Sequence, residues 1–211
     1  MNNMAEQIAE RLLQIKAIKL EPTNHFTWAS GWFSPIYCDN RKILSFPEAR
    51  DVVKHAFVKL IEDKFSDFDV IAGVATGAIA HGVLVADLFK KPFVYVRAQA
   101  KGHGLSNQIE GHLEKGSKVL VIEDLISTGG SSLSAVRALR DAEAEVVGMA
   151  AIFTYNFDVA VNAFKEEGLK LYTLSNYDAL IKLAIETGYV KPDDLVSLET
   201  WRSSPSTWKK Q

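Results

Sequence analysis

The chain is poor in cysteine, in clustered charge of one sign and in long apolar runs. Cys38 is the only cysteine among 211 residues. That excludes an internal disulfide and every zinc pattern built on several thiolates. Beside Tyr37, a lone Cys reads as a small packed side chain rather than a nucleophile. Basic and acidic residues number 24 and 26, for a formal net charge of -2. No block of Lys and Arg stands out, so there is no electrostatic footprint for a nucleic-acid partner. The opening MNNMAEQIAERLLQIKAI lacks a signal-type apolar core, and no stretch reaches membrane-spanning length. No membrane partner is expected, and the cytoplasm is the expected location. There is no internal repeat, no low-complexity segment, no G-x-x-x-x-G-K spacing and no nucleophile elbow.

What is present is an ordinary globular composition, 47% hydrophobic and 24% charged, in a chain long enough to bury a full core unaided. Apolar runs at 70–75, 93–96, 118–123, 146–153 and 169–174 read as strands. Between them, residues 78–89, 131–140, 157–167 and 176–186 carry helical periodicity. The pattern predicts an α/β fold: a mostly parallel central sheet flanked by helices, in one domain spanning residues 1–211. Ile8, Leu12, Leu13 and Ile15 mark an opening helix. A further helix carries the stripe Val52, Val53, Ala56, Phe57, Leu60 and Ile61, with Pro47 in its first turn and Ser45 and Glu48 at capping-box spacing. Residues 99–112 read as a polar loop, and the end of the chain as a tail packed by Trp201 and Trp208. The aromatic stretch 25–37 is broken by Gly, Pro and Ser. It reads as part of a small N-terminal hood drawn from residues 20–45.

In such a fold, ligands bind beyond the carboxyl ends of the strands, and three informative segments lie there. The first is the run V-L-V-I-E-D-L-I-S-T-G-G-S-S, residues 119–132. Four apolar residues make a strand, Glu123 and Asp124 end it, and Ser127, Thr128, Gly129, Gly130 and Ser131 turn the chain into a helix. Glycines let backbone N–H groups approach an anion, hydroxyls donate further bonds, and the helix N-terminus favours negative charge. The two acids suit sugar hydroxyls, a metal or developing positive charge. The segment describes a sugar phosphate; the plainer alternative is an ordinary strand-to-helix turn with surface acids. The second segment is Thr76-Gly77 ahead of its helix, another place for anionic oxygens. The third holds Arg97, Lys101 and His103 among Gly102, Gly104 and Gly111, a cationic loop able to close over an anionic leaving group. Taken alone, it is equally a solvated surface loop.

The 119–132 run resembles the motif of the type I phosphoribosyltransferases that binds 5-phosphoribosyl-1-pyrophosphate (PRPP). Residues 97–111 are similar to the catalytic loop of the orotate-using members, and 26–41 to their base-binding region. The resemblance spans about residues 20–190. It implies transfer of phosphoribosyl from PRPP to orotate, giving orotidine 5'-monophosphate and pyrophosphate. It places Glu123 and Asp124 on the ribose hydroxyls and residues 127–131 on the 5-phosphate. Thr76 and Gly77, with Arg97, Lys101 and His103, fall on the pyrophosphate. Asp124 joins those three as a catalytic residue. Orotate falls to Ser30, Gly31, Tyr37, Asn40, Arg41 and Ser127. The resemblance also implies a homodimer with shared active sites. Magnesium is expected to bridge pyrophosphate and ribose oxygens, because so charged a leaving group needs a divalent partner; no direct protein ligand is assigned.

The chain departs from the family pattern in several places. Ala98 and Gln99 stand where many members have a Lys, Phe33 stands at a usually basic position and Ala29 where some members have a Lys, the 76–78 turn has no Lys, and residues 153–157 hold no Arg. A purine base in place of orotate, a PRPP-binding regulator without turnover, and a generic nucleotide-binding α/β protein remain as alternatives.

Overall fold

The computed structural model describes residues 3–28, 30–98 and 108–209. Helix α1 (Met4–Gln14) opens with a capping box. The Asn3 side chain accepts from the Glu6 N–H at 3.0 Å, and the Glu6 carboxylate accepts from the Asn3 N–H. Its apolar face, with Ile8, Leu12 and Leu13, is buried. The hood follows. Strands β1 (Ile18–Leu20) and β4 (Ile36–Cys38) pair antiparallel, and β2 (Phe26–Thr27) and β3 (Phe33–Ser34) form a hairpin. A 3-10 turn over Asn40–Ser45 leads to α2 (Pro47–Lys64). The expected Ser45–Glu48 capping box does not form. Ser45 is consumed by the 3-10 turn, Phe46 takes the extended cap position without a side-chain hydrogen bond, and Pro47 starts the helix.

The central sheet has the order β10-β9-β8-β5-β6-β7, from β5 (Val70–Val74), β6 (Phe93–Val96), β7 (Ile109–Glu110), β8 (Lys118–Ile126), β9 (Glu145–Thr154) and β10 (Leu171–Asn176). All neighbours pair parallel except β7, which is antiparallel to β6. The crossovers are α3 (Ile79–Phe89), α4 (Gly130–Asp141) and α5 (Asp158–Glu166); α6 (Tyr177–Glu186) and α7 (Leu195–Ser203) follow β10. Alternate residues of each strand serve opposite faces. Ile71, Leu120, Ile122, Ala150 and Ile152 pack with the α1–α2–α6 side, while Val119, Val121, Met149 and Ala151 pack with Leu133, Val136 and Phe164.

Three expectations are corrected. Strand β8 does not end at the acids, because Glu123, Leu125 and Ile126 stay in register with Ala151, Phe153 and Thr154 of β9. Part of the expected 99–112 loop is strand, since Ile109 and Glu110 find backbone partners on the open edge of β6. The expected tail contains a helix, α7, nucleated behind Pro192.

Candidate active site

At the carboxyl ends of β5 and β8 the chain makes two turns that face each other. After β8, Gly129 takes φ +83, a conformation that L side chains rarely adopt, and a Cβ there would sit 3.0 Å from the Phe164 ring. Gly129 therefore allows the sharp entry into α4. No side chain caps α4 and no acid lies in its first turn, which leaves the first-turn amides to a bound anion. After β5, the peptide between Ala75 and Thr76 is cis, and Gly77 lies directly beneath the Asp124 carboxylate. A Cβ on Gly77 would fall 2.1 Å from Asp124 Oδ2. Between the turns is a cavity of about 290 Å³, lined by Thr76, Gly77, Glu123, Asp124, Ser127, Thr128, Gly129 and Ser131 among others.

The adjacent acids lie on opposite faces of β8 and do different things. Glu123 is 4% exposed. One of its oxygens accepts from the Asp124 N–H at 2.9 Å, and the other from the Ser132 hydroxyl at 2.7 Å. Burial first, and then the neighbouring charge of Asp124, push the Glu123 carboxyl well above its ordinary value, with Ser132 pulling the other way. Asp124 is half-buried. Its backbone carbonyl accepts from the buried Asn40 side chain at 2.6 Å, tying hood to sheet.

A second cavity of about 280 Å³ adjoins the first. Its walls are Thr27, Trp28, Tyr37, Cys38, Leu125, Ser127 and Tyr155. Leu125 and Ser127 line both cavities. The aromatic walls are ordered by their neighbours. Trp28 donates its indole N–H to the Ile36 carbonyl at 3.0 Å, and the Trp28 and Tyr155 rings lie 5.3 Å apart. Burial pushes the Cys38 thiol and the Tyr155 hydroxyl up from their ordinary values, keeping both neutral.

The structure thus brings Thr76, Gly77, Glu123, Asp124, Ser127, Thr128, Gly129 and Ser131 to one cavity, with Gly130 exposed at the start of α4. Tyr37 and Ser127 line the aromatic cavity. Ser30 and Gly31 sit at the exposed hairpin tip, where Gly31 has φ +81 and donates to the Trp28 carbonyl. Arg41 is exposed and pairs with Asp39 at 2.7 Å, which lowers the Asp39 pKa. Arg97 follows β6 and pairs with Glu110 at 3.4 Å. Lys101, His103, Ala29 and Gln99 lie outside the described residues. Trp28 lies in the 26–41 stretch that resembles the base-binding region, whereas Leu125 and Tyr155 were not singled out from the sequence. For Tyr155 a signal existed, since it directly follows the carboxyl end of β9, where ligand-facing residues belong. Of the histidines, His25 packs against Phe33 in a tilted arrangement, with ring centroids 4.5 Å apart. His81 is buried against the Asn40 backbone, and burial holds its pKa down. Among the described residues no group of three or more His, Cys, Asp or Glu is placed to hold a metal, and no helix is long and apolar enough to cross a membrane.

Residues 39–169 match the family described as the phosphoribosyl transferase domain. Over 209 residues the chain is 55% identical to the orotate phosphoribosyltransferase of Bacteroides fragilis, covering 99% of both. Among solved structures it is similar to the orotate phosphoribosyltransferase of Aeropyrum pernix, at 25% identity and TM-score 0.75 over 87% of this chain and 99% of that one. It is also similar to that of Mycobacterium tuberculosis in complex with PRPP, at 26% identity and TM-score 0.65 over 84% and 99%.

Proposed function

The chain belongs to the phosphoribosyl transferase family, among the orotate phosphoribosyltransferases, and from that premise we propose how its own residues carry the reaction. It transfers the phosphoribosyl group of PRPP to orotate, giving orotidine 5'-monophosphate and pyrophosphate. The observation that carries the residue assignment is the shared wall, in which Leu125 and Ser127 belong to both the phosphate-side and the aromatic cavity. A ligand bridging the two places its anomeric carbon at that wall, with sugar phosphate on one side and a flat base on the other.

The 5-phosphate sits in the 127–131 turn, where backbone amides and hydroxyls meet it without a competing side-chain cap. Asp124 faces the ribose and stabilises positive charge as it develops on the sugar. Glu123 supports it from behind, both oxygens being held by Ser132 and the Asp124 N–H. Thr76 and Gly77 receive the pyrophosphate, and Arg97, Lys101 and His103 neutralise it as it leaves. Trp28, Tyr37 and Tyr155 face the orotate ring. Asn40, which fixes the Asp124 carbonyl, and Ser30, Gly31 and Arg41 of the hood are assigned to orotate with Tyr37 and Ser127. No protein nucleophile is needed, and catalysis rests on positioning and charge.

Magnesium fits this donor set as an ion held chiefly by PRPP oxygens. Of the two carboxylates lining the cavity, Asp124 is half-buried and Glu123 is already engaged, and such an ion would keep few protein ligands. When bound, it supplies charge neutralisation for the leaving pyrophosphate. We also place the protein in the cytoplasm as a homodimer whose 97–111 segment serves the partner's site.

The direct test is to mix protein, magnesium, PRPP and orotate and follow the loss of orotate absorbance. Turnover of a purine base without turnover of orotate, or PRPP binding without turnover of any base, would reject the reading. For the shared site, mixing inactive Lys101→Ala subunits with inactive Asp124→Asn subunits is expected to restore activity. A mixture as inactive as its parents would remove the sharing.

A further inference from the structure

We propose that Trp201 of α7 is a positioning residue for the base cavity, so that a helix outside the matched 39–169 segment takes part in recognising the base. The proposal rests on reading the aromatic cavity as the base site. Trp201 does not line that cavity. It stands directly behind both of its aromatic walls and is 0% exposed.

The two walls come from distant parts of the chain. One is the hood hairpin, with Thr27 and Trp28; the other is Tyr155, just after β9. Trp201 touches both. Its ring meets Trp28 and Tyr155 edge-to-face, each at 5.7 Å, and lies 5.3 Å from Phe157, the next aromatic beyond Tyr155. Its indole N–H donates to the Phe33 carbonyl at 3.2 Å, and Phe33 pairs across the hairpin with Thr27, itself a cavity wall. One side chain therefore fixes the hairpin by a hydrogen bond and the β9 end by ring contacts. The separation of the two walls follows from its size and orientation.

Trp201 is in turn held from behind. The Tyr177 ring lies 5.5 Å away, and the Tyr177 hydroxyl donates to the Leu198 carbonyl one turn earlier in α7 at 3.1 Å. Arg202 pairs with Asp178 on the outer side of the same helix. The phosphate cradle has no such dependence, because its turn is made within β8 and α4. Loosening Trp201 should therefore be felt by the base and not by PRPP, a split that a merely structural tryptophan would not produce.

The experiment compares Trp201→Phe with the cavity variant Trp28→Leu, measuring KM for orotate, KM for PRPP, kcat and melting temperature. Trp201→Phe keeps most of the packing and removes the indole N–H. It is expected to raise KM for orotate about five-fold, the worth of one buried hydrogen bond, while KM for PRPP stays within about two-fold. Trp28→Leu should raise KM for orotate as well. If Trp28→Leu does so and Trp201→Phe moves both KM values together or neither, the positioning role is lost and the base site stands. If neither variant changes KM for orotate, the base-site reading falls with it. Should Trp201→Phe fail to fold, Tyr177→Phe, which removes only the hydroxyl anchoring Leu198, must show the same selective rise, and an unchanged KM for orotate there overturns the proposal.

Discussion

The proposed phosphate cradle and the proposed base cavity share Ser127 and are built on opposite plans. The cradle is local. Residues 123–131 leave β8, turn at Gly129 and enter α4, so strand, turn and helix dipole are adjacent in the chain. The proposed base cavity is assembled from the hood, the end of β8, the residue after β9 and, behind them, α7. A local site is fixed once its strand and helix form. An assembled one is only as well placed as the packing that holds its pieces. Perturbing the cradle should therefore register in PRPP binding and chemistry, and perturbing the assembly in the base.

The sharpest attempt to break that division is Asp124→Asn. Loss of its charge is expected to lower kcat by about 100- to 1,000-fold, as removal of a transition-state charge partner does elsewhere, with little change in KM for orotate. Steady-state kinetics would show the division to be wrong if the larger change fell on orotate. Next comes Gly129→Ala, which forces a side chain into φ +83 and against the Phe164 ring. Denaturant unfolding should show a loss of about 1–3 kcal/mol, and kinetics a raised KM for PRPP but not for orotate.

A smaller effect concerns Glu123, whose carboxyl is pushed up by burial. A carboxyl with a raised folded-state value favours the fold while protonated, and that contribution is lost as pH rises from the ordinary carboxyl range through the raised value. Glu123→Gln removes the titration. Its melting temperature relative to the parent should rise with pH, most near pH 8 and by close to nothing near pH 4. A difference independent of pH would mean that Glu123 is ionised in the fold. Smallest of all is Arg140→Ala, far from both cavities. Arg140 pairs with Glu167 at 2.9 Å on the surface, so urea titration should show a loss under about 1 kcal/mol and no change in either KM.

The same contrast explains what could be read from the chain before folding. The turn after β8 and its place at a cavity were legible because strand, acids and glycines stand side by side, and the order of strands and helices followed from apolar runs of the right length. The length of β8 was not, because Leu125 and Ile126 look like a loop until β9 offers them partners. Ser45 has the residue type and spacing of a helix cap, yet the preceding 3-10 turn claims it. Trp201 carries no local mark of its role and Tyr155 only its place just after β9; what defines both is each other and Trp28. The pairing of Ile109 with β6 depends on an edge visible only in the assembled sheet.

Gly77 occupies no space of its own, and the Asp124 carboxylate stands where its side chain would be. The two positions are thus one steric unit spread over two turns. Any larger residue at 77 would swing the acid away before substrate arrives, so a substitution scan across the first turn would report damage whose seat is in the second.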